Sequence, residues 1–444
     1  MDSTPVPHQL LHLYQISKHS KKFEPAFDDF YNSAGYEKIT DELDGPELEI
    51  FINFLDEVLR VKSLGVGLFQ KALHALWSIC GKRGVLPKSH IISEGVSRTD
   101  EKEFASGGFA NVWKGELVET NSNRRKVCLK APKVVAKDGE KERKDNEKAF
   151  YEEVSIWMRL KHPNVVQCFG ATSKPPQIVI DWMENGEVMD YVQKNPNASR
   201  THLVLGVTKG LDYLHLHGVV HGDVKPQNIL VNAKGDACLA DFGLAIVMCG
   251  KKLTEGENRT ARGHSSFWVA PETLIDGRVS KEADVFCYGL VAVEMFKGGS
   301  PWGQATAREV MTNITLNKRP DRPKNTEPLG LTTELWNCLT KCWCERPEDR
   351  IPISEVLALL NSTLKSGGER HHHGRFRVEV IDWEANDVCN DSNEEVHECS
   401  ARTFQYPQSP AFGLVCSTPN WNDKSPFPTS SPSYYQVAQD NRWE

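Results

Sequence analysis

Apolar residues recur at helical intervals near the start of the chain. Between Pro46 and Trp77 they fall three or four positions apart, a spacing typical of amphipathic helices, and Gly65 and Gly67 interrupt the pattern. The apolar positions are Leu48, Ile50, Phe51, Phe54, Leu55, Val58, Leu59, Leu68, Phe69, Leu73 and Leu76. The pattern predicts two helices with a break near the glycines. Their apolar stripe serves either as core packing of a helical flank, which we favour, or as a docking surface for a partner.

The rest of the chain divides into two regions of different character. From Ile91 to Leu364, strand-like and helical patterns alternate with few long breaks, as expected of a folded domain. After Lys365 the residues Ser, Pro, Asn and Tyr dominate and apolar periodicity is lost, so we expect a disordered tail. The predicted organisation is a helical region over residues 1–90, a folded domain over 91–364 and a disordered tail over 365–444.

Composition and charge exclude several classes of protein. The chain has 444 residues, 25% charged and 39% hydrophobic, which excludes collagen-like, coiled-coil and wholly disordered chains. A formal net charge of -7 gives no overall attraction to nucleic acid or anionic membranes. The start of the chain lacks a secretory signal, and the longest apolar stretches are about half of the ~20 residues that cross a bilayer. We therefore expect an intracellular, cytoplasmic protein with no membrane span and no nucleic-acid partner.

A turn of small residues follows the helical region. Residues 105–110 read Ala-Ser-Gly-Gly-Phe-Ala, between strand-forming residues on both sides. Glycines in such a turn let backbone N–H groups approach an anion closely. By itself, however, the turn is more often an ordinary hairpin than a phosphate site.

Two charged residues after the turn suggest a nucleotide site. Lys130 ends a short apolar strand, and Glu153 follows 23 residues later in an amphipathic segment. A lysine that points from a strand into a cleft can neutralise nucleotide phosphates when a carboxylate from a neighbouring helix holds it. The alternative, a surface lysine and a surface glutamate, is the commoner fate of each residue type alone.

The most specific signal is a pair of polar motifs. The sequence His-Gly-Asp-Val-Lys-Pro-Gln-Asn starts at His221, and Asp-Phe-Gly starts at Asp241. Asp223 precedes Asn228 by five residues and Asp241 by eighteen, so two carboxylates and a carboxamide can converge across a short hairpin. Phosphoryl transfer needs oxygen ligands for Mg2+, a carboxylate that orients the attacking hydroxyl, and a cation against the developing charge. These motifs in this order are very improbable by chance.

Together these motifs resemble a eukaryotic-type protein kinase domain of the serine/threonine type, in the tyrosine-kinase-like branch. The resemblance implies an α+β fold with two lobes, a small antiparallel sheet lobe and a mainly helical lobe. It also implies that ATP and Mg2+ bind between the lobes and that the substrates are Ser and Thr hydroxyls of proteins.

The resemblance assigns roles residue by residue. The catalytic residues would be Asp223 as the base, Lys225 on the transferred phosphoryl group, Lys130 on the nucleotide phosphates and Glu153 as its partner. The metal ligands would be Asn228 and Asp241. The nucleotide-binding residues would be Ala105, Ser106, Gly107, Gly108, Phe109, Ala110, Val112, Cys128, Lys130, Ile180, Asp181, Met183, Leu230 and Asp241.

Other positions match the family outside the nucleotide site. Glu272, near the end of the activation segment, would pair with Arg350, and Asp284 would brace the catalytic loop. Lys225, two residues after the base, is the serine/threonine pattern. Ser265 stands where that family's threonine contacts the base.

Two departures from the family pattern affect the expected activity. Ala105 and Ala110 replace the first and third glycines of the loop, and Ala costs about 1 kcal/mol wherever the backbone needs a positive φ. Gly222 replaces an arginine that binds an activation-loop phosphate in related kinases. We therefore expect replacement of Thr254 and Thr260 by Ala to leave most activity intact.

Two rival interpretations remain open. The loop alanines suggest a pseudokinase that serves as a scaffold, but retention of Asp223, Asn228 and Asp241 argues against it. Alternatively, assembly through the N-terminal helices is the main role, and the kinase domain is a regulated passenger.

Overall fold

Four helices precede the first strand in the computed structural model, which describes residues 13, 20–33, 35–61, 64–106, 110–119, 122–133, 139–249 and 267–368. They are α1 (Ser20–Asn32), α2 (Tyr36–Glu42), α3 (Gly45–Val58) and α4 (Val66–Arg83). The two predicted amphipathic helices correspond to α3 and α4. The break ends at Gly65, the N-cap of α4, whereas Gly67 lies inside the first turn of that helix. Gly84 ends α4 in the left-handed conformation that favours glycine, with φ +64°.

An antiparallel sheet and one helix form the smaller lobe. The strands are β1 (Val96–Arg98), β2 (Ala105–Ser106), β3 (Ala110–Val118), β4 (Arg124–Pro132), β5 (Cys168–Ser173) and β6 (Pro176–Asp181), and helix α5 (Glu140–Trp157) lies between β4 and β5 in sequence. The strand order is β1-β3-β4-β6-β5, and β2 pairs with β3. The sheet has a small core of its own, formed by Trp113, Val127, Leu129, Ala131 and Val179.

Helices dominate the larger lobe. They are α6 (Val188–Lys194), α7 (Arg200–Leu216), α8 (Pro271–Asp276), α9 (Lys281–Lys297), α10 (Ala307–Thr315), α11 (Thr333–Cys342) and α12 (Ile353–Gly368). Two short antiparallel pairs lie among them, β7 (Val219–Val220) with β10 (Ile246–Val247), and β8 (Ile229–Val231) with β9 (Ala237–Leu239). Hydroxyl side chains cap several of the helices: Ser199 caps α7, Ser280 caps α9 and Thr306 forms a capping box on α10.

The predicted two-lobed α+β fold with N-terminal helices is confirmed. The apolar residues of α1, α3 and α4 join the same buried core as those of α5 and the helical lobe. All described residues belong to the compact unit of residues 1–375. The predicted tail falls outside the described residues, apart from its first positions in α12. Among the helices that are described, none is long and apolar enough to cross a membrane.

Candidate active site

Strand β4 places Lys130 at the cleft because its side chains alternate between two faces. Val127, Leu129 and Ala131 are buried in the core of the sheet, whereas Cys128 and Lys130 point to the opposite face and are half-buried. The strand therefore anchors itself with one set of residues and presents the other set to the cleft.

Lys130 forms two ion pairs in the cleft. Its Nζ lies 2.7 Å from Glu153 Oε1 on α5 and 2.6 Å from Asp241 Oδ1. Burial disfavours the charged lysine, but the two carboxylates outweigh burial and hold the pKa of Lys130 well above its usual value. Burial likewise opposes the charge of Asp241, and Lys130 outweighs it, lowering the pKa of Asp241 to about 2. Lys130 is therefore a fixed cation between two carboxylates at neutral pH.

The loop between β7 and β8 brings three polar side chains together. Asp223 Oδ2 accepts hydrogen bonds from Lys225 Nζ at 2.6 Å and from Asn228 Nδ2 at 2.9 Å. Asn228 Nδ2 also donates to the Asp223 carbonyl oxygen at 2.8 Å. The carboxylate of Asp223 is thus held in one orientation by two donors from its own loop.

A buried aspartate on α9 holds the backbone of this loop through hydrogen bonds. Asp284 accepts backbone hydrogen bonds from His221 at 2.8 Å and Gly222 at 2.9 Å, and it lies 3.0 Å from His215 Nε2. Gly222 has φ +77°. His221, which precedes it in the chain, and Asp284, which accepts its hydrogen bond, are both buried. The backbone just before Asp223 is therefore fixed by a carboxylate from another element.

Asn228 and Asp241 have the chemistry of a magnesium site. Both hydrogen bonds that the described residues make with the Asn228 side chain use Nδ2, so its oxygen is left for a cation. Asp241 is ionised, and it adopts φ +64°, an uncommon conformation for a residue other than glycine. Carboxylate and carboxamide oxygens are the ligands that Mg2+ prefers, and in kinases it keeps further positions for water and phosphate. The donor set therefore fits Mg2+.

Sheet register aligns five of the predicted nucleotide-binding residues. Ala105 lies opposite Val112, and Val112 lies opposite Lys130, in one row across three strands. Cys128 lies opposite Ile180 on the next strand. Burial raises the pKa of Cys128 to about 12, so this thiol is neutral and lines the cleft as a small apolar group.

The other predicted nucleotide-binding residues lie partly within and partly outside the described residues. Asp181 ends β6, Met183 follows it and Leu230 lies on β8, all half-buried. Gly107, Gly108 and Phe109 lie outside the described residues, as does the side chain of Ser106. Ala105 and Ala110 both lie in paired strands and neither has a positive φ. Neither alanine therefore carries the backbone strain that a positive φ would cause.

A row of three tilted aromatic rings connects α5 to the catalytic loop, and the sequence motifs assign these rings no role. The Trp157 and Phe242 ring centroids are 5.1 Å apart, and the Phe242 and His221 centroids are also 5.1 Å apart. Trp157 follows Glu153 by four residues, one turn along α5. That spacing is the signal that could have indicated it, because residues four apart share a helix face.

The end of the activation segment is held by a buried ion pair. Arg350 donates to both Glu272 carboxylate oxygens, at 2.6 and 2.8 Å, and both residues are buried. The contact confirms the predicted pairing. Ser265, Thr254 and Thr260 lie outside the described residues.

Lys130 contacts two carboxylates in the cleft, and the loop before β8 holds Asp223, Lys225 and Asn228. Protein kinases use this arrangement. The family model described as protein tyrosine and serine/threonine kinase matches residues 99–360, and the chain belongs to this family. The predicted kinase domain of the serine/threonine type, in the tyrosine-kinase-like branch, is thereby confirmed.

Curated relatives agree with this assignment. The chain is 31% identical over 274 residues to serine/threonine-protein kinase STY46 of Arabidopsis thaliana, covering 60% of this chain and 44% of the relative. It is 29% identical over 266 residues to serine/threonine/tyrosine-protein kinase HT1 of Arabidopsis thaliana, covering 58% and 64%. It is 30% identical over 234 residues to tyrosine-protein kinase Btk of Drosophila melanogaster, covering 49% and 27%. The chain therefore spans about half the length of the first of these relatives.

Proposed function

We propose that the chain is a protein kinase that transfers the γ-phosphoryl group of Mg-ATP to Ser and Thr hydroxyls of protein substrates. The observation that carries the proposal is the double ion pair of Lys130, which contacts both Glu153 and Asp241. A scaffold has no chemical need for this pair together with a preorganised Asp223. The complete set thus favours an active enzyme over a pseudokinase.

The reaction follows from the positions of the charged groups. The Asp223 carboxylate orients the substrate hydroxyl and accepts its proton while the hydroxyl oxygen bonds to the γ-phosphorus. The bond from that phosphorus to the bridging oxygen breaks, and ADP leaves. Lys225, 2.6 Å from Asp223, offsets charge on the transferred group, and Lys130 offsets charge on the remaining phosphates. When bound, Mg2+ would neutralise phosphate oxygens, and Asn228 and Asp241 would hold it.

The preference for Ser and Thr rests on Lys225 two positions after the base. Relatives named as serine/threonine kinases and relatives named as tyrosine kinases both match this chain, so the hydroxyl type needs a direct measurement. Phosphoamino-acid analysis of the autophosphorylated protein should give phosphoserine or phosphothreonine. Phosphotyrosine as the only product would contradict this part of the proposal.

The test of activity is phosphate transfer from labelled Mg-ATP to a generic protein substrate. Asp223→Asn keeps the shape of the side chain but removes its charge, so we expect turnover to fall by about a thousandfold or more. The matched control is Asp276→Asn, the same change at an exposed aspartate of α8 whose partner is Arg278. An inactive wild type, or an Asp223→Asn variant as active as the control, would refute the proposed mechanism.

We also propose an intracellular, cytoplasmic protein with a kinase domain over residues 91–364. The N-terminal helices share the core of the helical lobe, which supports the interpretation as a flank over that as a free docking module. Most of their apolar stripe is buried in this core, and Ile50 is its exposed member, at 53%.

A further inference from the structure

Helix α4 packs along α5, the helix that carries Glu153, more extensively than any other two described helices pack on each other. At this interface Gly81 faces Glu152. A methyl group on Gly81 would lie 2.7 Å from Glu152 Oε1 and 2.9 Å from Cδ, and closer still to Cγ. Glu152 is itself buried and pairs with Lys148, 3.7 Å away, so its side chain is held on the side that faces α4. The two helices approach this closely because position 81 has no side chain.

The Gly81 contact is linked directly to the active site. Glu152 and Glu153 are adjacent on α5 and therefore point about 100° apart around the helix axis. Glu152 contacts α4, and Glu153 reaches Lys130 at 2.7 Å. A shift or rotation of α5 that makes room for a side chain at Gly81 therefore also changes the distance between Glu153 and Lys130.

Helix α4 is also attached to the helical lobe, so it cannot simply follow α5. Gln70 Nε2 donates to the Leu216 carbonyl oxygen at the end of α7, at 3.0 Å. The Phe69 and His217 rings meet edge to face with centroids 5.0 Å apart. Helix α4 thus contacts α5 in one lobe and the end of α7, just before the catalytic loop, in the other.

A buried charge cluster fixes α3 to the chain just beyond α5. Asp56 on α3 lies 2.7 Å from an Arg159 guanidinium nitrogen and 2.8 Å from His90 Nε2. Ser89 and Arg60 also donate to its carboxylate, at 2.7 and 2.9 Å. Because Arg159 lies two residues past α5, this cluster holds the C-terminal end of that helix. The N-terminal helices thus hold α5 at two points.

We propose that Gly81 is a positioning residue for phosphotransfer, because its lack of a side chain lets α4 hold α5 where Glu153 reaches Lys130. The N-terminal helices are then a built-in part of the catalytic apparatus. The inference rests on the proposed kinase activity, but it makes a separate statement about the position of α5.

The experiment compares Gly81→Ala with Gly67→Ala in the full chain. Both changes add a methyl group within α4 and raise its helix propensity alike, but the methyl at Gly67 meets no atom within 4 Å. Turnover at saturating ATP, the melting temperature and amide hydrogen exchange over residues 140–157 are measured. We expect Gly81→Ala to lower turnover by about tenfold to a hundredfold and to speed exchange in α5, because small misplacements of catalytic groups have effects of this size. Gly67→Ala should match wild type.

A second substitution distinguishes positioning from general damage. Glu152→Ala removes the atoms that the Gly81 methyl would meet, so the Gly81→Ala/Glu152→Ala double variant should return to within about threefold of the turnover of Glu152→Ala alone. Wild-type turnover and exchange in Gly81→Ala would overturn the proposal. So would lost turnover that follows a lower melting temperature and is not restored in the double variant. If Gly81→Ala does not fold, a folded and active double variant supports the proposal, and an unfolded or inactive one overturns it. If wild type transfers no phosphate, the proposed function fails, while exchange in α5 still tests the contact.

Discussion

Replacement of Gly222 by Ala should damage the catalytic loop through two separate effects. Gly222 has φ +77°, and an Ala side chain in this left-handed conformation costs about 1 kcal/mol. In addition, the new methyl group would lie 2.6 Å from the Leu244 carbonyl oxygen and 3.2 Å from Val279 Cγ1. A backbone carbonyl cannot rotate away as a flexible side chain can, so this overlap should cost about a further 1–3 kcal/mol. We expect Gly222→Ala to lower the free energy of unfolding by about 2–4 kcal/mol in total.

Gly298 provides a matched control for the conformational part of this cost. It has φ +76°, nearly the same conformation, but no atom lies within 4 Å of the position its Cβ would take. Gly298→Ala should therefore cost about 1 kcal/mol. Urea unfolding of both variants measures the difference, and turnover should fall only in Gly222→Ala because Asp223 follows directly. Equal unfolding free energies in the two variants would refute the steric argument.

Three further predictions concern stability and nucleotide binding. Arg350→Met leaves Glu272 buried without its cation and should lower the free energy of unfolding by about 3–5 kcal/mol in urea; a loss below about 1 kcal/mol would contradict this. Burial raises the pKa of Glu294 from 4.5 to about 7, so the folded protein holds this proton more tightly and loses stability as the pH rises through that interval. Glu294→Gln should therefore gain up to about 3 kcal/mol over wild type between pH 5 and 8, and a pH-independent difference would be the contrary result. Ala105→Gly with Ala110→Gly makes two unstrained strand positions more flexible, so Mg-ATP should bind about fivefold more weakly by calorimetry, and tighter binding would show that the alanines are strained.

The catalytic loop was predictable because its chemistry is local in sequence. Asp223, Lys225 and Asn228 lie within six residues, and their hydrogen bonds follow from the conformation of one short segment. The pairing of Lys130 with Glu153 was predictable for a different reason, because the motifs around it indicated a kinase cleft that brings this strand and helix together.

The sequence by itself could not decide the state of the loop alanines. A small-residue turn is compatible with positive or negative φ, and the strand register sets the conformation at Ala105 and Ala110. The surroundings of Gly222 are likewise set by residues distant in sequence: its N–H donates to Asp284, and a side chain at this position would meet Leu244 and Val279.

The amino-acid sequence alone determined the kinase fold and the helical nature of the N-terminal region, and it supplied the proposed catalytic set. Only the tertiary structure decided where the N-terminal helices lie, because an amphipathic stripe shows that one face is buried but does not identify the surface that covers it. For the same reason Gly81 had no visible role in sequence, where a glycine inside a helix indicates only a weaker helix. Its proposed role depends on Glu152, which lies 71 residues away in the chain and within contact distance in the fold.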